Sequence, residues 1–350
     1  MGAHMLRERE PDTHRQLRRL REGGVSWIRE DFSWLQIERQ PGVFYWAASD
    51  NFMAAAAVEG ISVLAIADYS APWAASDPSG HGDQHYPPKD VQDFANFTRA
   101  LAERYGTGGT FWTANPDLPA KPLAAIELWN EPYGYWFWKP RPDPAYYARL
   151  VEAASAAVRE VDPRIKLLAS GDLVAVYGPN SSTQWLDWLT ALLDADPDIV
   201  DAIDAWSIHP YPSPWDLGPH DESWSPRLSF GRVARIHEIL VARSADKPIW
   251  LTEIGWTTAS GVSGGVSEAT QARFLEETVK RAIDDWGAFV PRVFLFSWDR
   301  ASGIPTDRDT NCGLRRMDDS TVPAWDSLTT LLSEGAPRAP RASRTRFGAS

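Results

Sequence analysis

Short apolar runs alternate along the chain with longer segments whose apolar residues recur at helical spacing. The apolar runs predict buried strands at residues 25–34, 61–67, 124–129, 165–169, 202–208, 248–253 and 293–298. The periodic segments predict helices at residues 11–22, 49–59, 90–105, 143–161, 182–193, 230–242, 267–285 and 321–332. Strands that alternate with helices of this length are typical of parallel βαβ units.

This alternation predicts an α/β fold, a (β/α)8 TIM barrel in which seven strands are visible and the first strand is weak or truncated. The missing strand would precede the helix at residues 11–22. Either residues 5–10 supply it poorly, or the native amino end was removed by cloning. A doubly wound open sheet is the alternative, but no glycine-rich phosphate loop follows any predicted strand.

The domain organisation follows from the same pattern. Residues 11–334 are expected to form one barrel domain, because neither a second core nor an internal repeat is visible. In the amino-terminal segment, residues 1–10, the run Met1-Gly2-Ala3-His4-Met5 is typical of a cloning remnant. Residues 335–350, rich in proline and arginine, are expected to be a disordered tail. No signal peptide is visible, but cloning would have removed one, so the location stays open with secretion favoured.

Composition narrows the classes of partner. The net charge of -12 disfavours a nucleic-acid partner, and no apolar window is long enough for a membrane span. The single cysteine, Cys312, excludes an internal disulfide and a cysteine metal cluster. The 18 tryptophans are more than core packing easily uses, since each buried indole needs a partner for its N–H. Flat sugar faces are one common reason to keep indoles in a cleft.

Two of the apolar runs end on a glutamate. Glu131 follows Trp129 and Asn130 and precedes Pro132, and Glu253 ends a second run that Gly255 breaks. Because the carboxyl ends of barrel strands meet at one face, we expect both carboxylates to share a site. A pair of carboxylates is the usual equipment for cleaving a glycosidic bond. The alternative is that the two residues form ion pairs or cap helices.

Several motifs together resemble clan A glycoside hydrolases, nearest to family 39 and then family 5. Residues 129–132, 208–211 and 251–256 resemble the ends of strands 4, 6 and 7, and residues 29–34 resemble the end of strand 2. Trp298 and residues 313–326 resemble strand 8 and the final helix, so the likeness runs from about Leu17 to Leu332. The resemblance implies a barrel that cleaves glycosidic bonds with retention, with Glu131 as acid/base and Glu253 as nucleophile.

Polar residues near the glutamates complete the predicted site. Arg29 and Tyr211 could hold Glu253 ionised, through charge and through a hydrogen bond. Asn130 could bind the hydroxyl next to the reacting carbon, and His209 could contact substrate or Glu131. The alternatives are an ion pair of Arg29 with Asp31 or Glu30 and a core role for His209.

Aromatic residues are the remaining candidates for substrate contacts. Tyr133 and Trp136 lie in an aromatic loop directly after Glu131, which should line leaving-group subsites. Trp256 and Trp298 could form the floor under the reacting sugar, with barrel packing as the alternative. The other candidates near strand ends are Trp34, Tyr69 and Trp129.

We expect neither a metal nor a cofactor. His81, Asp83 and His85 lie in a loop rich in proline and glycine, without the helical register typical of a ligand set. The expected partner is an oligosaccharide or polysaccharide, and long aromatic loops favour a polymer. Other hypotheses are a transglycosylase with the same residues, a non-catalytic carbohydrate-binding barrel and a metal-dependent barrel hydrolase. The sugar, its linkage, the choice between internal and terminal cleavage, and the oligomeric state stay open.

Overall fold

The computed structural model describes residues 1–6, 13–174, 187–223, 225–299 and 303–334. Its strands are β1 (Trp27–Ser33), β2 (Glu38–Gln40), β3 (Val43–Phe44), β4 (Ser62–Asp68), β5 (Ala125–Leu128), β6 (Lys166–Ser170), β7 (Ala205–Ile208), β8 (Ile249–Ile254) and β9 (Arg292–Leu295). Its α-helices are α1 (Thr13–Glu22), α2 (Trp34–Ile37), α3 (Ala47–Glu59), α4 (Val91–Tyr105), α5 (Thr110–Ala114), α6 (Pro144–Val161), α7 (Trp188–Ala195), α8 (Ile199–Ala202), α9 (Arg232–Ala242), α10 (Glu268–Asp284) and α11 (Pro323–Ser333).

Seven parallel strands form one curved sheet in the order β1-β4-β5-β6-β7-β8-β9, while β2 and β3 form a separate hairpin. Strand order therefore follows chain order around the sheet, as it does in a barrel. The gap between β1 and β9 is bridged by the first residues of the chain. The Gly2 amide donates to Leu295 O at 2.8 Å, and the Arg29 amide donates to Met1 O at 2.8 Å. The predicted barrel architecture is confirmed, with the sheet nearly closed.

The amino-terminal residues differ from the expectation. The position between β1 and β9, where the sequence placed residues 5–10, holds Met1–Ala3, with one parallel bridge between Gly2 and Arg29. The buried carboxylate of Glu30 accepts hydrogen bonds from the amides of Met5 and Leu6 at 2.9 and 3.1 Å. Residues 7–12 and 335–350 lie outside the described chain, so the domain limits and the tail stay predictions.

The helix starts follow from side-chain capping. Asp90, Asp143 and Ser267 each accept a hydrogen bond from a first-turn amide of α4, α6 and α10. The predicted helix at 182–193 is seen from Trp188 onward, and its earlier residues lie outside the described chain. The predicted strand at 202–208 begins only at Ala205, because α8 occupies Ile199–Ala202. No helix in the described ranges is both long and apolar enough to cross a membrane.

An apolar floor inside the barrel sets where polar groups can lie. It consists of Leu64, Ala125, Leu168, Ala205, Trp250 and Phe294. Since alternate residues of a strand share a face, Glu127, Ser207 and Thr252 stand on the same inner face, two residues further along β5, β7 and β8. The strand interiors therefore change from apolar to polar towards the carboxyl ends, which places a polar layer directly under the barrel mouth.

Leu168→Ala tests this floor. Leu168 is fully buried, and its truncation should leave a cavity that costs about 2–5 kcal/mol of unfolding free energy. Urea denaturation measures the loss. The control Val241→Ala removes a side chain that is 52% exposed on α9 and should change stability by less than about 0.5 kcal/mol. Equal effects of the two substitutions would contradict the packing described.

Candidate active site

A cavity of about 530 Å³ opens at the carboxyl ends of the strands. Its lining includes Arg29, Asn130, Glu131, Tyr211 and Glu253. A second cavity, of about 260 Å³, lies at the amino ends of β1 and β9 beside α10 and α11. That second lining is mostly apolar and contains no carboxylate, whereas the first contains both predicted glutamates.

The backbone turns sharply to deliver Glu131 to the cavity. After β5 ends at Leu128, Trp129 and Glu131 adopt positive φ angles of 73° and 45°. Such conformations cost non-glycine residues on the order of 1–3 kcal/mol and persist where surrounding structure imposes them. Here the buried indole of Trp129 is anchored by donation from its Nε1 to Phe137 O at 3.0 Å. Packing around Trp129 thus offsets the cost of the strained backbone that presents Glu131 to the cavity.

Glu131 and Glu253 meet in this cavity. One carboxylate oxygen of each lies within 4.8 Å of the other and of a ring nitrogen of His209. Their side chains are 15% and 16% exposed, so both are accessible from the cavity although mostly enclosed. The ion-pair alternative describes part of this arrangement, because Glu253 pairs with Arg29 at 2.7 Å and Glu131 contacts His209 at 2.8 Å.

Arg29 connects the two sides of the site. From β1, its Nη1 donates to Glu253 Oε2 at 2.7 Å and its Nη2 donates to Asn130 Oδ1 at 2.8 Å. Burial by itself lowers the pKa of Arg29, but the charges of Glu127 and Glu253 outweigh burial and raise it. The guanidinium is therefore permanently charged and forms the contact with Glu253 that the sequence predicts.

Glu127 is a member of the site that the motifs did not single out. Its Oε2 accepts from Arg29 Nε at 2.6 Å, and its Oε1 accepts from Ser207 Oγ and, at 3.2 Å, from Thr252 Oγ1. Burial raises the pKa of Glu127, but Arg29 and His209 reverse the effect and lower it to about 2. The available sequence signal was a lone charged residue within an apolar strand.

Glu127→Gln tests the buried ion pair. The substitution keeps the side chain's size but removes the carboxylate closest to Arg29, so the unfolding free energy should fall by about 3–5 kcal/mol. Urea denaturation at neutral pH measures it. As control, Glu238→Gln breaks the exposed pair with Arg235 on α9 and should cost less than about 1 kcal/mol. A loss no greater than that of the control would contradict the role assigned to Glu127.

His209 is bonded to Glu131. From the end of β7, its Nδ1 lies 2.8 Å from Glu131 Oε1. Burial raises the pKa of Glu131, but the hydrogen bond and charge of His209, aided by Tyr133 and Trp136, outweigh burial and lower it. The predicted contact between His209 and Glu131 is present, and the ring is buried beneath the cavity rather than exposed to it.

The neighbours of Nε2 favour opposite protonation states of His209. Arg29 Nη2 at 3.3 Å would require a lone pair on Nε2, whereas Glu127 Oε1 at 3.5 Å would require a proton. Burial lowers the pKa of His209, but the charge of Glu253 and the bonds to Glu127 and Glu131 raise it to about 9. We favour the imidazolium, because three carboxylates and one guanidinium surround the ring. In both states Nδ1 donates to Glu131.

A pH dependence of stability follows from this assignment. A group whose folded-state pKa lies above its unfolded value contributes stability fully below the unfolded pKa, and the contribution is lost as pH rises through the folded pKa. For His209 that window runs from 6.5 to about 9. The stability of the unsubstituted protein relative to His209→Gln should therefore fall by up to about 3 kcal/mol across the window. Urea denaturation at a series of pH values tests this, and parallel pH profiles would contradict it.

Three tyrosines and one indole surround the glutamates; Tyr69, Tyr211 and Trp136 line the cavity, whereas the predicted substrate-binding residue Tyr133 is buried and does not. Tyr211 Oη donates to Glu253 Oε1 at 2.9 Å, and Tyr133 Oη donates to Glu131 Oε1 at 3.1 Å. Burial and the adjacent carboxylate raise the pKa of both phenols, so each remains a donor. Tyr69 Oη accepts from Asn130 Nδ2 at 2.9 Å, and Trp136 Nε1 lies 3.5 Å from Glu131 Oε2.

Four predicted substrate-binding tryptophans do not line the cavity. Trp298 is fully buried and faces the helix layer, where its Nε1 donates to Gln16 Oε1 at 3.1 Å and its ring packs on Trp325. The reason is alternation: its neighbours Ser297 and Asp299 line the cavity, so Trp298 points outward. The other three, Trp34, Trp129 and Trp256, are also buried, and the indole N–H of each donates to a protein acceptor. Barrel packing, the alternative for Trp256 and Trp298, is what the structure has.

Loops after β7 and β9 supply lining residues that sequence reasoning missed. They include Trp215, Arg308, Asp309 and Thr310. Trp215 follows Tyr211 in a proline-rich loop, so its aromatic character was an available signal. The segment from Arg308 to Thr310 carries no motif, and only the curvature of the barrel brings it over the site.

Glu131, His209 and Glu253 could in principle offer three atoms to a metal ion. The same pocket, however, contains the guanidinium of Arg29, bonded to Glu253, and the raised pKa of His209 adds a second positive charge. This donor set fits an internally compensated charge cluster better than a cation site. In the loop of the other three candidates, Asp83 pairs with Lys139 and contacts His85, while His81 contacts Ser79.

Comparison with known proteins gives structural likeness only. No protein-family model and no curated protein matches the sequence. Among solved structures, the chain is similar to a family 39 glycoside hydrolase from the gut symbiont Bacteroides cellulosilyticus, with TM-score 0.72 and 24% identity over 95% of this chain and 62% of that chain.

Two further structures extend the likeness. A GH5_18 protein from Bifidobacterium longum, in complex with Manb1-4GlcNAc, has TM-score 0.64 and 14% identity over 96% of this chain and 76% of that one. The GH53 catalytic domain of Ignisphaera aggregans has TM-score 0.58 and 19% identity over 90% and 88%. The predicted resemblance to clan A glycoside hydrolases is confirmed at the level of the fold. The chain spans 62% of the family 39 protein.

Proposed function

We propose that the protein is a retaining glycoside hydrolase, with Glu253 as nucleophile and Glu131 as acid/base. The observation that carries the proposal is the approach of one oxygen of each glutamate to within 4.8 Å in an open cavity. Retaining enzymes place their carboxyl groups about 5–5.5 Å apart, whereas inverting enzymes need about 6.5–9.5 Å to admit a water molecule. The fold likeness to glycoside hydrolase barrels supports the same assignment.

The contacts of the two glutamates support different roles. Glu253 accepts from Arg29 and Tyr211, which orient its carboxylate as a nucleophile requires. Glu131 instead shares a hydrogen bond with a nitrogen base, His209. Its lowered pKa means that in the free protein the shared proton resides mainly on His209, 2.8 Å away. Glu131 and His209 together then hold the proton that the leaving group requires.

The reaction proceeds in two displacements. Glu253 attacks the anomeric carbon as the glycosidic bond breaks, while Glu131 takes the proton from His209 and passes it to the leaving oxygen. The glycosyl ester on Glu253 carries no charge, so His209 loses the carboxylate that most raises its pKa. Glu131 then takes a proton from water as the water attacks the ester, and that proton returns to His209. Free sugar and both carboxylates are regenerated.

Asn130 is positioned for the hydroxyl next to the reacting carbon. Its Oδ1 accepts from Arg29 and its Nδ2 donates to Tyr69, which leaves the second N–H of the amide for substrate. A hydrogen bond to this hydroxyl strengthens as positive charge develops on the sugar ring. The amide is thus oriented by two fixed partners before substrate arrives.

Glu131→Ala and Glu253→Gln test the two roles on a panel of 4-nitrophenyl glycosides and glycosyl fluorides. Loss of acid catalysis in Glu131→Ala should lower kcat/KM by roughly 10²–10⁴-fold for poor leaving groups, with azide restoring turnover of activated substrates as a glycosyl azide. Glu253→Gln should lose at least as much with every substrate. The control Glu268→Gln, on α10 in a pair with Arg316, should retain activity.

Product stereochemistry decides the mechanism. Proton NMR during turnover should show the first-formed sugar with the anomeric configuration of the substrate. An inverted product, or a Glu253→Gln variant as active as the control, would contradict the proposal. Sugar binding without turnover by the unsubstituted protein would favour the carbohydrate-binding barrel instead.

A further inference from the structure

Two tryptophans differ from the others in exposure. In the part of the chain that the structure describes, Trp136 and Trp215 are the exposed tryptophans, each 39% exposed, and both line the catalytic cavity. The remaining described indoles are buried or half-buried. Leaving an indole in water forgoes a large burial energy, so a pair of them in one cavity points to an apolar ligand surface.

Trp136 belongs to the side of the acid. Its Nε1 lies 3.5 Å from Glu131 Oε2. The ring also packs over the backbone of Gly134, where an added Cβ would come within 2.7 Å of Trp136 Cε2. Its neighbour Phe137 stacks on Tyr69, which follows β4. Trp136 therefore stands over the β4 and β5 side of the mouth, close to the group that protonates the leaving oxygen.

Trp215 belongs to the side of the nucleophile. Its ring lies 5.2 Å from that of Tyr211, whose hydroxyl bonds Glu253. The guanidinium of Arg308, from the segment after β9, lies 4.6 Å from the indole centroid. Gly264 approaches from the loop after β8, where an added Cβ would come within 2.6 Å of Trp215 Cβ. Trp215 is therefore fixed on the β7-to-β9 side of the mouth.

The charge of the cavity lining indicates which class of sugar it can bind. Its lining contains Asp31, Glu131, Glu253, Asp299 and Asp309, against two arginines, Arg29 and Arg308; behind the lining, His209 and Arg315 compensate only Glu131 and Asp299. Arg29 already forms ion pairs with Glu127 and Glu253. The net negative charge of the lining would repel a carboxylated sugar. With a neutral sugar, the carboxylates can accept hydrogen bonds from its hydroxyl groups and the Asn130 amide can donate one.

We propose that Trp136 and Trp215 are sugar platforms on opposite sides of the Glu131–Glu253 pair, so that the cleft binds a neutral oligosaccharide with at least one sugar on each side of the cleaved bond. Trp136 takes the leaving-group sugar and Trp215 the sugar side that becomes attached to Glu253. The inference rests on the proposed function for its bond cleavage, but the two platforms bind sugar independently of turnover.

The experiment compares Trp136→Ala and Trp215→Ala with Tyr45→Ala, an exposed aromatic residue outside the cavity lining. The substrates are neutral gluco-, xylo-, manno- and galacto-oligosaccharides of two to six units and the matching glycosyl fluorides. With the best oligosaccharide, each tryptophan variant should lose roughly tenfold or more in kcat/KM, equivalent to about 1.4 kcal/mol. With the fluoride, which has no leaving-group sugar, only Trp215→Ala should lose activity.

Gly134→Ala provides a second variant that keeps the indole. The added methyl group must displace the Trp136 ring, so this variant should resemble Trp136→Ala with oligosaccharides and the unsubstituted protein with fluorides. The proposal is overturned if either tryptophan variant changes oligosaccharide kcat/KM no more than Tyr45→Ala, or if Trp136→Ala lowers activity on fluorides and oligosaccharides equally. A preference for uronate oligosaccharides over neutral ones would also overturn it.

Calorimetric titration separates failure of this inference from failure of the proposed function. If the unsubstituted protein cleaves no substrate but binds neutral oligosaccharides, and each tryptophan variant weakens that binding tenfold, the hydrolase proposal fails and the platforms stand. If cleavage occurs and both variants match Tyr45→Ala, the platforms fail and the hydrolase proposal stands.

Discussion

The buried guanidinium of Arg29 is the contact on which the rest of the site depends. It is bonded to Glu127 beneath it, to Glu253 at the cavity and to Asn130 beside Glu131. A charge this deeply buried persists only because several partners compensate it, and those partners are thereby fixed relative to one another. A buried ion pair adds little net stability to a fold compared with apolar packing. This one, however, holds two carboxylates near each other that like-charge repulsion would otherwise separate.

The layering of the barrel makes this arrangement possible. The apolar floor around Leu64, Leu168 and Phe294 fills the lower interior, and the next inward positions carry Glu127, Ser207 and Thr252. Each polar group of this layer has a partner from another strand, so the cost of burying it is offset by hydrogen bonds. Arg29 and His209 lie between this layer and the two mostly enclosed carboxylates above it, and their positive charges compensate both. The charge balance at the mouth thus depends on residues buried beneath the cavity.

The tryptophans illustrate how one residue type divides between packing and binding. Trp298 and Trp256 lie at strand ends, yet alternation and buried N–H partners place them in the helix layer. Trp136 and Trp215 lie in loops, where neighbouring glycines leave room for an indole that the core does not absorb. Position relative to the strand, rather than residue type, separates the two groups.

Local pattern was enough for the architecture and for placing the two glutamates in one cavity. Alternating apolar runs and helical segments determine a parallel barrel. A glutamate among the last residues of a strand or just beyond it emerges at the barrel mouth, as Glu253 and Glu131 do. The contacts of Arg29, Tyr211 and His209 were predictable for the same reason, since each ends or occupies a strand beside them. Sequence reasoning did not find Glu127, Trp215 and Asp309. It also predicted four tryptophans as substrate contacts that do not line the cavity, namely Trp34, Trp129, Trp256 and Trp298. Which face of a strand end points inward, and which loop folds over the mouth, depends on strand register and closure of the sheet, and these are set by hydrogen bonds between residues far apart in the chain.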